Sequence, residues 1–241
     1  MSSLLVKTIY YFTINTIMSA VYLKPRHPIG GDQPPPGLSI LEFPYTPQIE
    51  YSADVKYDTY STTHTNYQLH GFTRSENPTI SLNCKFSAHS ADHFETSSNA
   101  IKFLRTYTKM NYGRTDKDRG QPPRILRFFA HGNNLFNNVP VVISRFNLTL
   151  PDDVDYVKGS VDASGNLIKT DIVRSAQVPT NAIPSNTTPA ASTTSNDGVI
   201  YLPIFFQISI SLLMQQNMYD AVNNFNLEDF ARGKLSSKGY I

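Results

Sequence analysis

Disulfide bonds and a high density of charge are two features that this sequence lacks. Its single cysteine, Cys84, excludes an intrachain disulfide, and its place on the apolar side of an alternating segment predicts an inert core thiol. Charged residues make up only 17% of the chain, below the roughly 25% that is usual in soluble domains. This shortage is expected where neighbouring subunits cover the surface, and equally in an uncharged β protein rich in Ser, Thr and Asn. The net charge of +2 favours neither nucleic acid nor a membrane as a partner.

Motifs that carry chemistry are also missing. The sequence has no G-x-S-x-G nucleophile elbow, no phosphate-binding glycine loop and no paired-cysteine zinc site. His89, Asp92 and His93 form an H-x-x-D-H cluster, but this spacing fits no metal-site template, and Asp92 is better explained as a helix N-cap. We therefore expect a protein that is not an enzyme and that holds no metal or cofactor.

Residues 1–47 are predicted to form an N-terminal extension followed by a proline-rich arm, ahead of one β domain at 48–241. Residues 4–23 are an apolar run long enough to span a bilayer, although Lys7 and Asn15 interrupt it. Three interpretations stay open: an extension that docks or is poorly ordered, with Met18 as an alternative start; a packing helix; and a membrane anchor. Residues 24–47 are rich in proline, which predicts a stiff segment that is either an arm across a neighbour or a plain linker.

From residue 49 onward the hydrophobic pattern has a period of two, which predicts β-strands. The predicted strands are residues 49–58, 80–88, 124–130, 139–150 and 200–214. One side of the fourth strand carries Val142, Phe146, Leu148 and Leu150. The apolar face of the longest strand includes Phe206, Ile208 and Ile210, which we predict as packing or interface residues. At about 3.3 Å per residue this strand spans roughly 50 Å, so it bends across a barrel or extends beyond the domain.

One strong helix, at about residues 92–111, interrupts the strands. Asp92 and Glu95 form a capping pair at its start, and Gly113 follows its predicted end. Its apolar face covers roughly 200°, wider than one core contact requires. We expect it to touch two surfaces, its own sheet and a neighbouring subunit, with a deeper groove inside the monomer as the alternative. The predicted packing or interface residues on this helix are Phe94, Ile101, Leu104 and Tyr107.

The C-terminal part is predicted to contain a long loop, a short helix and a tail. A low-complexity loop is expected at about 158–198, with a small hairpin that turns at 163–166 before the segment 176–198. Asn226 and Asp229 mark the start of a short helix whose apolar face carries Phe225 and Phe230, and Gly233 ends it. Residues 234–241 are predicted to form an extended tail with an apolar tip.

Four segments in combination resemble a known family. They are FPYTPQIEYSADVKYDTY (43–60), SADHFETSSNAIKFLRTYTKMNYG (90–113), PPRILRFFAHGNNLFNNVPVVISRFNLTLPDDVDYV (122–157) and FNLEDFARGKLSSKGYI (225–241). The combination is similar to the baseplate tail-tube junction proteins of contractile-tailed phages, called tail tube initiator or tube cap proteins. The likeness covers roughly residues 40–157 and 199–241, and it leaves out the N-terminal extension and the low-complexity loop.

The resemblance implies a mainly β fold, with a tail-tube-type β-barrel or two packed antiparallel sheets, one flanking helix and a short C-terminal helix. It implies a hexameric ring in the virion baseplate that joins the central hub to the tail tube and templates tube assembly, after synthesis in the host cytoplasm. The implied partners are other copies of the chain, the hub, and the tail tube or a second tube-junction protein. Sheath or wedge components are further candidates, and DNA would pass through the lumen without sequence-specific binding.

Two other classes of function stay open from the residues themselves. One is a different viral tube or capsid-type structural protein, including the tail tube protein itself. The other, which the sequence favours least, is an enzyme or a membrane-anchored binding protein. Three features favour a chain that assembles with neighbours. They are the long strands, each with one apolar and one polar face, the widely apolar helix and the low fraction of charged residues.

Overall fold

The structure is a computed structural model of the chain. It describes residues 21–29, 34–35, 37–114, 119–132, 135–161, 167–175 and 198–241, with the backbone alone for Val161 and for 167–175. The predictions for residues 4–20, for the turn at 163–166 and for the segment 176–197 lie outside these ranges. The described residues form a mainly β fold with antiparallel sheets, one long helix and a short C-terminal helix, which confirms the predicted fold class.

The strands and helices have the following bounds. The strands are β1 Val21–Pro25, β2 Leu41–Glu42, β3 Gln48–Ser52, β4 Val55–Tyr60, β5 Leu69–Ser75, β6 Thr79–Ser87, β7 Leu126–Ala130, β8 Phe136–Thr149, β9 Tyr156–Val161, β10 Leu167–Ser175, β11 Gly198–Pro203 and β12 Phe205–Met214. The α-helices are α1 Ala91–Tyr107, α2 Met218–Asn223 and α3 Leu227–Ala231, followed by a 3-10 turn at Ser236–Lys238.

The main sheet has seven strands in the order β2-β1-β7-β8-β12-β6-β3, and its inner face forms the principal core. Alternation of apolar and polar residues explains this directly, because successive side chains of a strand point to opposite faces. Phe206 and Ile208 on β12 lie opposite Phe86 and Cys84 on β6, and all four are buried. The Phe86 and Phe206 rings stack with centroids 5.5 Å apart. The described strands of this sheet leave it open, with β2 and β3 as its edges, rather than closing it into the barrel that was one of the two predicted forms.

The predicted single strand at 200–214 is wrong, because the chain changes sheets in the middle of it. β11 belongs to a three-stranded sheet of order β10-β9-β11, whereas β12 lies in the main sheet. Pro203 ends β11, and proline has no N–H with which to continue a ladder. Ile204, between the strands, donates its N–H to the Asp155 carbonyl at 2.9 Å and accepts from the Ala88 N–H at 2.8 Å.

The predicted inner face of β8 was also wrong at Val142. Val139, Val141 and Ile143 are the buried residues, and Val142 is only half-buried. The register along β12 then skips Ser144, since Leu212 pairs with Ile143 and Ser211 with Arg145. An extra residue of this kind is a β-bulge, which shifts the alternation by one position. Phe146 and Leu148, which follow the bulge, therefore lie on the core side as predicted. Leu150, predicted on the same side, follows the end of β8 and is 44% exposed.

Helix α1 begins one residue earlier than predicted and ends sooner. Its N-cap is Ser90, whose Oγ accepts the His93 N–H at 3.3 Å, so Asp92 lies in the first turn instead of capping it. The helix ends at Tyr107: Thr108 is the C-cap, and the Lys109 N–H bonds to the Thr106 carbonyl at 3.1 Å in a tighter turn. Gly113 lies five residues beyond this cap. A hydroxyl at the N-cap satisfies one of the free N–H groups of the first turn, which explains the choice of Ser90.

The wide apolar face of α1 contacts two surfaces, and both belong to the same chain. Phe103, Leu104 and Tyr107 are buried in the core of the main sheet. Phe94 belongs to a second buried cluster with Ala88, Val157 and Leu202, which lies against the three-stranded sheet. The expected contact of this helix with a neighbouring subunit is therefore corrected: the small sheet of its own chain covers the second side.

Part of the segment predicted as an extension and arm is built into the main sheet. Strand β1 pairs with both β2 and β7, and its Leu23 is fully buried. Leu41 and Phe43 join the same core, and the Tyr107 hydroxyl donates to the Leu38 carbonyl at 2.8 Å. These described residues of the predicted arm therefore pack against their own chain.

The C-terminal segment is compactly packed instead of extended. Helix α3 begins at Leu227 with Asn226 as N-cap and is followed by Gly233 at a φ of 73°, as predicted. Beyond it, Leu235 and Tyr240 are buried, so the predicted extended tail is wrong. At Gly239 an added Cβ would lie 2.5 Å from the Asn138 carbonyl oxygen, which shows how closely the last residues approach strand β8. Strands β9 and β10 form an antiparallel pair on either side of residues 162–166, which confirms the small hairpin predicted within the loop at 158–198.

Candidate functional site

The predicted packing residues fall into two groups. Six of them are buried inside the chain: Phe94, Leu104, Tyr107, Phe206, Ile208 and Ile210. Ile101 is half-buried between the two cores. In the C-terminal pair, Phe225 is 41% exposed and Phe230 is half-buried like Ile101. The residues chosen on α1 and β12 therefore pack within the chain itself.

A hydrogen-bonded group of Ser, His and Tyr side chains surrounds Ser87. The Ser87 Oγ lies 2.9 Å from His93 Nδ1, 3.1 Å from His89 Nδ1 and 3.1 Å from the Tyr45 hydroxyl. The two imidazole rings have centroids 4.3 Å apart. Ser87 is fully buried, so its hydroxyl anchors the end of β6 to the start of α1 rather than meeting a substrate. Sequence reasoning found the two histidines but not the serine between them.

The next candidates for chemistry are a metal cluster and the single thiol. Over the described ranges, no three His, Cys, Asp or Glu side chains are grouped as a metal site requires. Cys84 is 1% exposed, and burial raises the pKa of its thiol to about 12. A thiol with so high a pKa is protonated and unreactive at neutral pH, which agrees with the predicted core role.

The most exposed apolar feature is a two-stranded antiparallel ribbon formed by β4 and β5, hereafter the ribbon. It leaves the main sheet where β3 ends and returns just before β6, and the Glu76 N–H bonds to the Asp54 carbonyl at 2.8 Å across its base. Lys56 and Arg74 both form ion pairs with Glu76, at 3.4 and 3.3 Å, which hold the base together. The ribbon is thus a projection whose base is closed by a backbone hydrogen bond.

Each face of the ribbon carries a pair of large apolar side chains beside polar ones. On one face the Tyr57 and Phe72 rings meet edge to face with centroids 6.0 Å apart. On the other face the Tyr60 ring covers Gly71, where an added Cβ would lie 2.9 Å from the ring. Leu69 is the cross-strand partner of Tyr60. Tyr57, Tyr60, Leu69 and Phe72 are each 56 to 64% exposed. Large apolar side chains exposed together on one projecting element mark a candidate contact surface.

The two edges of the ribbon are open as well. Among the described strands, β4 pairs with β5 and with no other. A two-stranded hairpin is at best marginally stable alone in water, and open edges offer N–H and C=O groups to another chain. The ribbon therefore has the two properties expected of an assembly element, exposed apolar side chains and unpaired backbone.

Two further surfaces carry exposed apolar side chains. The C-terminal helices expose Met218, Tyr219, Val222 and Leu227, each by 70% or more. At the far end of β6 from the ribbon, a groove of about 520 Å³ lies between Phe86, Pro151, Val154, Phe205 and Phe206. Phe205 is 56% exposed at its rim. The ribbon and this groove lie at opposite ends of one strand, so one copy presents a projection at one end and an apolar recess at the other.

Comparisons with known proteins do not extend this description. No protein-family model and no curated protein matches the chain. In the part of the chain that the structure describes, none of the helices has the length and apolar character needed to cross a bilayer.

Proposed function

We propose that this chain is a structural virion protein whose copies assemble into a hexameric ring in the baseplate of a contractile-tailed phage. The ring joins the central hub to the tail tube, or to a second tube-junction protein, and templates the first ring of the tube. Sheath or wedge components contact its outside, and DNA passes through its lumen without sequence-specific contacts. The observation that supports the proposal is the ribbon, because its exposed apolar side chains and open edges favour contact with a partner.

The energetic argument for assembly rests on the exposed side chains of the ribbon. Burying a large apolar side chain stabilises a contact by about 1.5–3 kcal/mol. Tyr57, Tyr60, Leu69 and Phe72 are more than half exposed in the single chain. Since a ring repeats the same contact at every subunit boundary, even a partial gain at each contact favours closure over free monomers.

The location in the baseplate rests on the sequence resemblance. The segment 43–60 contains β3 and β4, and the segment 225–241 contains α3 and the packed C-terminal turn. Two of the resembling segments therefore include the first strand of the ribbon and the C-terminal surface next to the exposed α2. The mainly β fold with open antiparallel sheets is compatible with sheets that continue from one subunit to the next.

Negative-stain imaging of the purified chain, alone and mixed with its hub protein, tests the proposal. We expect closed rings with six-fold symmetry that bind the hub. A chain that stays monomeric at assembly concentrations, even with the hub present, would contradict it. Long regular tubes formed by the chain alone would indicate the tail tube protein itself instead of a junction ring.

A further inference from the structure

A cavity of about 420 Å³ lies between the outer face of the main sheet and the C-terminal segment. Its walls include Arg26 after β1, Arg127 on β7, Lys238 in the 3-10 turn and Asp220 on α2. Three cationic side chains therefore face one carboxylate, which leaves an excess of positive charge in a chain with a net charge of only +2. This excess of charge is local. The two arginines lie together because of how β1 pairs with β7.

The register of β1 against β7 brings these cations together. Lys24 is the direct cross-strand partner of Arg127. The Arg26 N–H bonds to the Ile125 carbonyl at 3.0 Å, which continues the ladder and places Arg26 on the same outer face, two residues further along. Like charges at adjacent cross-strand positions destabilise a sheet. Burial, and then the charge of Arg26, lower the pKa of the Arg127 guanidinium.

The chain offers these cations little compensation. Within the described ranges, Arg26, Arg127 and Lys238 form no ion pair, and the Arg127 guanidinium donates to the Asn138 carbonyl oxygen at 3.1 Å. The Asp220 carboxylate accepts a hydrogen bond from the Asn224 side chain at 2.8 Å. The guanidinium groups thus keep unused donors beside the cavity, and two arginines present the planar donor geometry that suits an oxyanion.

A second and independent observation comes from Tyr240, which also lines the cavity. The residue is 8% exposed, and its hydroxyl is a buried polar atom with no hydrogen-bond partner in the described structure. Burial and the charge of Asp220 raise the pKa of this hydroxyl, so it remains a neutral donor. A buried donor without an acceptor costs about 1–3 kcal/mol. The hydroxyl is closed to solvent in this structure, and a shift of the side chain toward the cavity brings it to an acceptor on a bound anion.

We propose that this cavity binds a phosphate group, held by Arg26, Arg127 and Lys238 with Tyr240 as a neutral donor. The phosphate is either free, as inorganic phosphate or a small phosphorylated molecule, or a phosphodiester of nucleic acid. The proposal does not depend on ring formation, since every residue of the site belongs to a single chain.

Thermal unfolding of the full chain with increasing inorganic phosphate, at an ionic strength kept constant with sodium chloride, tests the site. We expect phosphate to raise the melting temperature of the wild type. Arg26→Gln and Arg127→Gln should each weaken the fitted binding constant by about tenfold or more, the loss typical of a charge-assisted contact. Lys85→Gln is the matched control, because it removes one positive charge far from the cavity. Lys85 pairs with Gln207 on β12, and Gln207 is about 26 Å along the strand, at 3.3 Å per residue, from the cavity residue Gln215.

Tyr240→Phe provides a readout that a general charge effect would not change. It should leave the protein without phosphate equally stable or more stable, since it removes an unsatisfied hydroxyl, and should still weaken phosphate binding. A parallel titration with a short DNA duplex separates the two sources: a response to DNA alone identifies a phosphodiester, and a response to phosphate alone a free ligand. Equal responses of the arginine variants and the wild type, or no response to either ligand, would overturn the proposal.

Discussion

Leu104 shows what a single side chain of α1 contributes. It is fully buried between the helix and the main sheet. Leu104→Ala should lower the free energy of unfolding by about 2–5 kcal/mol, because it removes buried methyl groups and leaves a cavity. Met110→Ala is the control, since Met110 is 47% exposed and its replacement should change stability by about 0.5 kcal/mol or less. Urea unfolding measures both, and similar values for the two variants would contradict the packing described.

Cys84 makes a prediction about alkaline pH. Its pKa is raised from 9.0 to about 12 by burial. Between these values the unfolded chain loses the thiol proton and the native chain keeps it, so the unfolded state is favoured. The stability that the neutral thiol contributes is therefore complete below pH 9 and is lost as the pH rises toward 12.

The matched comparison for Cys84 is the variant Cys84→Ala, in which every other titrating group is retained. The wild type should lose free energy of unfolding more steeply than the variant above pH 9. Below that pH the difference between the two should be constant. If the free energies of unfolding of the wild type and of Cys84→Ala fall in parallel up to pH 11, the prediction is wrong, because the thiol then titrates as it does in the unfolded chain.

At the scale of elements, the ribbon should be dispensable for folding. Its base is closed by the Glu76 to Asp54 hydrogen bond at 2.8 Å, so a two-glycine turn can replace residues 55–75. The shortened chain should keep its free energy of unfolding within about 1 kcal/mol, because the ribbon side chains are exposed and bury little area in the monomer. Denaturant unfolding with circular dichroism is the measurement. A shortened chain that fails to fold would show that the ribbon stabilises the main sheet.

Alternation alone identified several strands correctly and failed where the chain departs from regular geometry. Strands β6 and β7 and the buried side of β12 follow an unbroken period of two, and the sequence predicted them. The change of sheet at Pro203 and the bulge at Ser144 interrupt two of the predicted strands. The signals in the sequence were the proline itself and the polar pair Ser144-Arg145, where the apolar residues change from odd to even positions. Which strand lies alongside each segment cannot be read from the pattern.

The ribbon was missed at this scale, because the predicted single strand at 49–58 joins the end of β3 to the start of β4, which lie in different sheets. Its second strand, β5, reads Leu-His-Gly-Phe-Thr-Arg-Ser, and Gly71 and a bulge interrupt its alternation. The available signal was the density of aromatic residues in 51–72. Since such residues usually enter a core, only the structure distinguishes an exposed ribbon from a buried strand.

At the scale of the whole molecule, the helix shows what an apolar face can and cannot reveal. The width of that face correctly predicted two contact surfaces for α1. It could not predict that the second surface is the small sheet formed by β9, β10 and β11, because that contact joins residues far apart in the chain. The burial of α1 on both sides moves the candidate assembly surface to the ribbon and the C-terminal helices.

The central claim is that copies of this chain assemble through the ribbon. Sedimentation velocity of the wild type, of the double variant Tyr57→Ser/Phe72→Ser and of the control Tyr112→Ser tests it most directly. Tyr112 is 75% exposed and lies outside the ribbon, so its replacement removes a comparable aromatic group from another surface. We expect hexamers for the wild type and the control and folded monomers for the double variant. Hexamers formed equally well by the double variant, or a monomeric wild type, would contradict the account.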